Sequence, residues 1–502
     1  MSKEYIIDSD ENSDYMYNVI KNVINEIGPR PAGSENEKRA SEWTEKELEK
    51  FCDAVEIEDF YCHPRAFLGF TRVCLGILSI TILIFFLTSI NQLSKLIFSV
   101  TSLGITIFVF YIIYKAFLCY EPILAPIFKK KRSQNVVGTI KPTDEIKNRI
   151  IFSSHIDSTI YNKLQYTQHG YLFYIMKGLL SIIIWLIIFI FQLINAILGQ
   201  DLIVFTIIAN ILIYIFPGSL LFVVFILGRT KSFIDGVFMT ITKLASLIIL
   251  IDIAFSYSVI IFFLFGVFKS NLTVSSLIFI IYLIPTYILV SFFQNKNGSP
   301  GATDNLAGVA TCLCIAKVLS EWKEKYRIFF PKNSEIKILI CGAEEVGLRG
   351  SREFSEKYSK EYNKINTTCV NFDNIQYSEY LQFFTREKTT RTNLDKEIVS
   401  DLEKIAKNLN KNYIISQMST LGGGSDGAGL VMGGLRATTI ASLHIPDFLH
   451  FYHSTRDNLS MVNRERRPCN DHGTSWKNRN VRCAMENALK ISLEYIKLVD
   501  EK

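Results

Sequence analysis

A chain of 502 residues that is 49% hydrophobic, with a mean hydropathy of +0.22, is too apolar for an ordinary soluble enzyme. Its formal net charge of +6 is modest for that length, and no stretch interleaves basic residues with aromatics, so a nucleic-acid partner is excluded from the expectations. Ten cysteines lie scattered without CxxC pairs or the dense spacing of a disulfide scaffold, which favours a reducing compartment.

Residues 1–66 are polar. They predict a helix over "SDYMYNVIKNVINEI", a turn at "GPRPAGS" and a charged helix over "ENEKRASEWTEKELEKF", with Ser34 and Glu37 spaced as a capping box. This stretch lacks the apolar core of a secretory signal, so the first apolar segment is expected to act as the insertion signal. Residues 67–118 then carry two apolar segments, about 68–90 and 96–118. Residues 171–294 carry four more, about 171–195, 202–227, 245–268 and 275–294. Each reaches the roughly 20 residues needed to cross a hydrocarbon core of about 30 Å, which predicts a helical transmembrane domain of about six spans. Basic stretches "FKKKRSQ" and "GRTKSF" fall on one side of these spans, whereas "NQLSK", "LGQD" and "KSNLTV" on the other are poor in Lys and Arg. The positive-inside rule therefore puts both termini and the polar segments on the cytoplasmic side. Asp252, a charge within the fifth span, is a functional suspect because the bilayer makes it costly.

The remaining polar segments complete one domain with residues 1–66. Residues 119–170 offer two strands, "NVVGTI" and "RIIFSS", the second running into His155 and Asp157. Residues 295–502 alternate: helix 304–322, strand 336–341, helix 349–363, strand 367–372, helix 394–410, strand 437–442 and a closing helix at 481–498. That order predicts an α/β fold, a mixed, largely parallel sheet sandwiched by helices. Cys312 and Cys314 sit two apart inside the first of those helices, face different sides and read as buried thiols.

Several predicted strands end in acids or imidazoles: His155 and Asp157, Glu344 and Glu345, Asp373, and, after the last strand, His453. Carboxyl ends of sheet strands converge on one rim. Each residue alone has an ordinary reading. Asp304 at a helix start is an N-cap, Asp373 a turn residue, and a lone His-x-Asp a chance match. Adjacent glutamates repel, however, and two imidazoles with several carboxylates on one rim point to a metal.

In order and local context, "HID", "GATDN", "CGAEEVGLRGS", "NFDNI" and "FYHSTRDN" resemble the co-catalytic di-zinc aminopeptidase family, which includes leucyl aminopeptidases and glutamate carboxypeptidase. The opening "IGPRPAGSENEKRASEW" is similar to that family's amino-terminal helix and turn; the apolar segments have no counterpart. The resemblance implies a zinc-peptidase fold and two Zn2+ ions bridged by Asp304. His155 and Asp373 would complete one site, and Glu345 and His453 the other. Glu344 would be the general base and Asp157 the partner that orients His155. Asp457 could orient His453, and Ser425 and Asp426, in a glycine-rich run, could touch substrate. The chemistry agrees, because imidazole and carboxylate suit zinc and a paired site lowers the pKa of a water toward about 7.

The function implied is a membrane-anchored zinc metallopeptidase of aminopeptidase type acting on peptides. The alternatives are an inactive peptidase-like receptor, or a glutaminyl-cyclase or carboxypeptidase activity on the same scaffold. His444 and His450 read as packing or pocket residues, and His63 and His169 match no motif. The chain departs from the family where 149 positions separate His155 from Asp304. Four spans fill that gap, an even number, as two ligands of one site on one side of a bilayer require. The cleft is expected near the membrane surface, and peptides at or emerging from the membrane are the expected substrates.

Overall fold

In the computed structural model, the described residues are 9–67, 92–160, 298–326, 330–419, 422–444, 451–465 and 480–502, with scattered positions in 69–80 and 183–199. The sheet arises from period-two alternation. In β3 (Asn148–His155), Ile150 and Phe152 enter one core and Ile151 the other; in β4 (Ser334–Cys341), Ile336, Ile338 and Ile340 oppose Leu339 and Cys341. In β5 (Asn366–Ile375), Val370 and Phe372 oppose Cys369. Both faces are covered, which is why these strands read as unbroken apolar runs. Helices Ser9–Glu26, Ala307–Glu321 and Val481–Asp500 contribute to the first core, and helix Arg349–Tyr362 with residues after Asp426 to the second.

The strand order is β1-β2-β4-β3-β5-β9-β6-β7, with β8 beside β6. Here β1 is Ala54–Cys62, β2 Lys131–Ile140, β6 Leu381–Glu387, β7 Thr392–Asn393, β8 Tyr413–Met418 and β9 Ala437–Ser442. The centre, β4-β3-β5-β9, is parallel, as is the β6–β8 pair; β2 joins β4 and β6 joins β9 antiparallel. The sheet is thus mixed, and the largely parallel expectation holds for its middle. Sequence reading missed β1, β6, β7 and β8. The first is an edge strand, "AVEIEDFYC", exposed at Ala54, Glu56, Asp59 and Tyr61, and the last is half-exposed "YIISQM".

The chain divides into two compact units. One comprises residues 1–67, 118–162 and 295–502 and carries the sheet; the other comprises 68–117 and 163–294. Among the described residues two helices are long and apolar enough to cross a membrane. Leu96–Leu118, with mean hydropathy 2.3, is in the second unit apart from its last residue and displays Ile97, Val100, Ile107 and Phe108 on its surface, as a lipid-facing helix does. Ala302–Glu324 is long and apolar for another reason: it is buried against the sheet as the core helix of the first unit. The spans predicted at about 68–90 and 171–195 lie largely outside the described residues; those at 202–227, 245–268 and 275–294 lie entirely outside them, as does Asp252. Cys312 and Cys314 are buried free thiols in that core helix. Cys483, by contrast, is disulfide-bonded.

Candidate metal centre

Parallel register sets the level of the first ligands. His155 pairs with Cys341 across β3 and β4, and Ser153 pairs with Asn371 across β3 and β5, so Asp373 falls level with His155. Asp304 arrives from the start of the core helix. Its Oδ1 lies 3.4 Å from His155 Nε2, and its Oδ2 lies 3.4 Å from His453 Nε2. Glu345 Oε2 stands 3.1 Å from His453 Nε2. Donor atoms of His155, Asp304 and Asp373 all fall within 4.8 Å of one another, as do those of Asp304, Glu345 and His453. The five residues singled out as ligands are therefore gathered into two groups that share Asp304.

The acidic pair after β4 is held by a constrained turn. A Cβ on Gly342 would lie 2.5 Å from the Gln134 carbonyl oxygen, and Ala343 adopts a left-handed φ of 54°. Beyond it, the Asp157 carboxylate accepts hydrogen bonds from the Glu344 amide at 3.0 Å and the Glu345 amide at 3.1 Å. Asp157 thus does more than expected, and does the expected task differently. His155 Nδ1 lies 3.0 Å from the Asp157 backbone oxygen and 3.5 Å from its carboxylate. Asp457 also departs from expectation. Instead of orienting His453, its carboxylate accepts from the Thr303 amide at 2.9 Å, the Thr303 hydroxyl at 2.8 Å and the Asp304 amide at 3.0 Å.

Two supports escaped sequence reading. In the sequence Glu37 reads only as half of a capping box. Ser34 Oγ does accept from the Glu37 amide at 3.1 Å, but the Glu37 carboxylate accepts instead from the Gly33 amide, the Ser133 hydroxyl and, at 2.9 Å, the Ala343 amide. Its only signal was a position three after a serine. Arg30, fully buried between two prolines, has no signal beyond its place in the stretch that resembles the family's amino-terminal turn. Ser425 is placed differently from the substrate contact expected of it. It is fully buried, and its hydroxyl donates to Glu387 at 2.5 Å and lies 2.7 Å from the Thr439 hydroxyl, so it supports the loop from behind. Asp426 is likewise fully buried, and burial pushes its carboxyl up to about 6. His444 stacks on Tyr380 with centroids 4.8 Å apart, as a packing residue, while His450 lies outside the described residues.

The electrostatics are those of an anionic pocket short of positive charge. Burial, reinforced by Glu345, Asp426 and Asp373 against His155, holds Glu344 well above the usual carboxyl range. Burial does the same to Asp373 and raises Glu345. Burial resists protonation of His453, yet Glu345 and Asp304 push it up to about 10. Asp304 is drawn below its usual range, burial notwithstanding, by hydrogen bonds from both imidazoles. Glu345 Oε1 is buried with no hydrogen-bond partner. A cluster of carboxylates with an orphaned oxygen and two imidazoles fits divalent cations, and an all-N/O donor set of this kind suits zinc.

Residues 286–467 match the model of Peptidase family M28, a stretch that takes in Asp304, Glu344, Glu345, Asp373 and His453 but stops short of His155 and Asp157. Among solved structures the chain is similar to BSAP, a zinc aminopeptidase from Bacillus subtilis, at 12% identity over 96% of this chain and 95% of that one, with a TM-score of 0.45. A Zn-dependent exopeptidase from Parabacteroides distasonis gives 13%, 97%, 98% and 0.45, and a Porphyromonas gingivalis glutaminyl cyclase gives 11%, 96%, 98% and 0.44. No curated protein matches the chain. TM-scores below 0.5 add nothing to what the sheet order and donor set already say. The family match and that donor set identify a zinc metallopeptidase, a hydrolase.

Proposed function

We propose that this zinc metallopeptidase is a membrane-anchored aminopeptidase that holds two zinc ions and hydrolyses the amino-terminal bond of peptides. One ion would be held by His155, Asp304 and Asp373, the other by Asp304, Glu345 and His453. The observation that carries this reading is the position of Asp304, with one carboxylate oxygen toward each imidazole, 3.4 Å away in both cases. Bound zinc would polarise the scissile carbonyl and acidify a water at neutral pH. Glu344 belongs to neither ligand group and lies 3.8 Å from His155 Nε2, placed to take the water's proton and pass it to the departing amine. Asp157, by gripping both amides, keeps the proton carrier and its ligand neighbour at a constant separation. The test is hydrolysis of amino-acid amides with and without chelator, beside a peptide whose amino terminus is blocked. Cleavage of the blocked peptide at an equal rate would remove the aminopeptidase assignment.

The membrane part of the proposal has about six spans, with the polar segments on the cytoplasmic side. Support for an even number of crossings between the ligands comes from the roots of the long insertion, where the Ser299 amide donates to the Thr159 carbonyl at 2.8 Å. A segment that leaves and returns at one hydrogen bond ends on the side where it began, as four spans do. Protease accessibility of the carboxyl-terminal segment in sealed vesicles checks the orientation. The substrates proposed are peptides at, or emerging from, the membrane. Equal cleavage of soluble and membrane-derived peptides by the detergent-solubilised enzyme would leave the spans as an anchor alone.

A further inference from the structure

The buried guanidinium of Arg30 bonds to both roots of the long insertion. On the outgoing side, Nε donates to the Ile156 carbonyl at 2.7 Å, one residue beyond His155. On the returning side, Nη1 donates to the Pro300 carbonyl at 2.8 Å, and Nη2 lies 3.4 Å from that of Gly301. Nη1 also donates to the Gly28 carbonyl at 2.9 Å. The backbone joins in: the Arg30 amide donates to Ser158 Oγ at 2.9 Å, and the Ser158 amide donates to the Arg30 carbonyl at 3.0 Å. Ser158 Oγ in turn donates to the Ser299 carbonyl at 2.7 Å, and Ser299 Oγ to the Ser454 carbonyl at 2.8 Å, next to His453. The returning loop is moulded to this group, since Gly301 has φ 62° and a Cβ there would come within 3.0 Å of Arg30 Nη2.

We infer that Arg30 is a positioning residue that sets the separation of His155 and Asp304 across the insertion, and with it the affinity for the cation they share. The inference rests on the zinc reading above. Only a planar fork of five N–H groups serves carbonyls in three chain segments at once; an ammonium has three donors on one atom and cannot span them. Lysine at this position would keep the charge and lose the geometry, which separates the two contributions.

The test uses the full-length protein in detergent, with Arg30→Lys and Ser299→Ala, the latter removing one hydroxyl at the edge of the cluster. Zinc affinity and stoichiometry are measured by competition with a chromogenic chelator, and melting is followed without metal. Arg30→Lys is expected to weaken at least one zinc by about 10- to 100-fold, the range for residues that orient metal ligands, and Ser299→Ala by less. A lower melting temperature with unchanged zinc affinity in the folded protein would overturn the inference, because a merely structural residue behaves that way. Should Arg30→Lys not fold, Ser299→Ala decides, and unchanged affinity there counts against it. Parent protein that binds no zinc removes the metallopeptidase reading and this inference together; parent protein that binds zinc, with indifferent variants, removes the inference alone.

Discussion

The two ligand groups that meet at Asp304 differ in enclosure. The side chains of His155, Asp304, Asp373 and Glu345 are all buried, whereas the His453 side chain in the second group is 22% exposed. The inner group hangs from β3 and β5, brought level by their register, and from the non-helical segment at Asp304 that leads into the core helix. The outer one hangs from a turn after β4 and from a loop where His453 itself has a left-handed φ of 52°. One half of the centre is therefore built as part of the core, and the other as part of the cleft. An ion in the inner half should exchange slowly and serve as an anchor, while one in the outer half meets solvent and substrate first.

The largest expected effect tests whether the halves are one site at all. Asp304→Ala should abolish zinc binding at both positions and all hydrolysis, read by metal analysis of the purified chain. Retention of one zinc per chain would show two independent sites. Next, Glu344→Gln should lower the rate by about 10²- to 10⁴-fold, the usual contribution of a general base, with zinc content unchanged. Loss of metal in that variant would reassign Glu344 as a ligand. The asymmetry itself is sharpened by dialysis against a graded chelator, which should remove one zinc well before the other. His453→Ala should leave the slowly lost ion in place, and simultaneous loss of both would contradict the division. Smaller still, Asp157→Asn and Asp457→Asn should each weaken zinc by about 10- to 100-fold, because each anchors the backbone beneath a ligand. At the bottom of the scale, Glu37→Gln leaves one amide donor facing donors, and should cost about 1–3 kcal/mol of stability in chemical denaturation.

The ligands were legible because each ends an apolar run or opens a helix, and those patterns are local. His155 follows "RIIFSS", and Glu345 follows "IKILICGA". The supports were not legible, since Arg30 and Glu37 act on backbone groups of segments distant in sequence. The bond from Ala343 to Glu37 closes 306 positions, and nothing in the sequence of either segment encodes the meeting. Asp157 shows an intermediate case: its neighbourhood to His155 is written in the spacing, but its grip on the two glutamate amides depends on β3 and β4 lying side by side. Edge strands were lost for a related reason. In β1 the exposed positions are Ala54, Glu56, Asp59 and Tyr61, whose spacing and mixed chemistry blur the alternation that marks a strand.

The hydrogen bonds that join Thr159 and Ser158 to Ser299 make the sheet-bearing unit a socket. Whatever emerges there needs to satisfy only one closure condition, that its two ends meet, and the entropic cost of meeting rises by about 0.6 kcal/mol per doubling of a flexible loop. Catalytic geometry and the intervening hydrophobic cargo can then vary separately. The same root accepts a short loop or a long insertion without moving the ligand side chains, provided that both ends return to it.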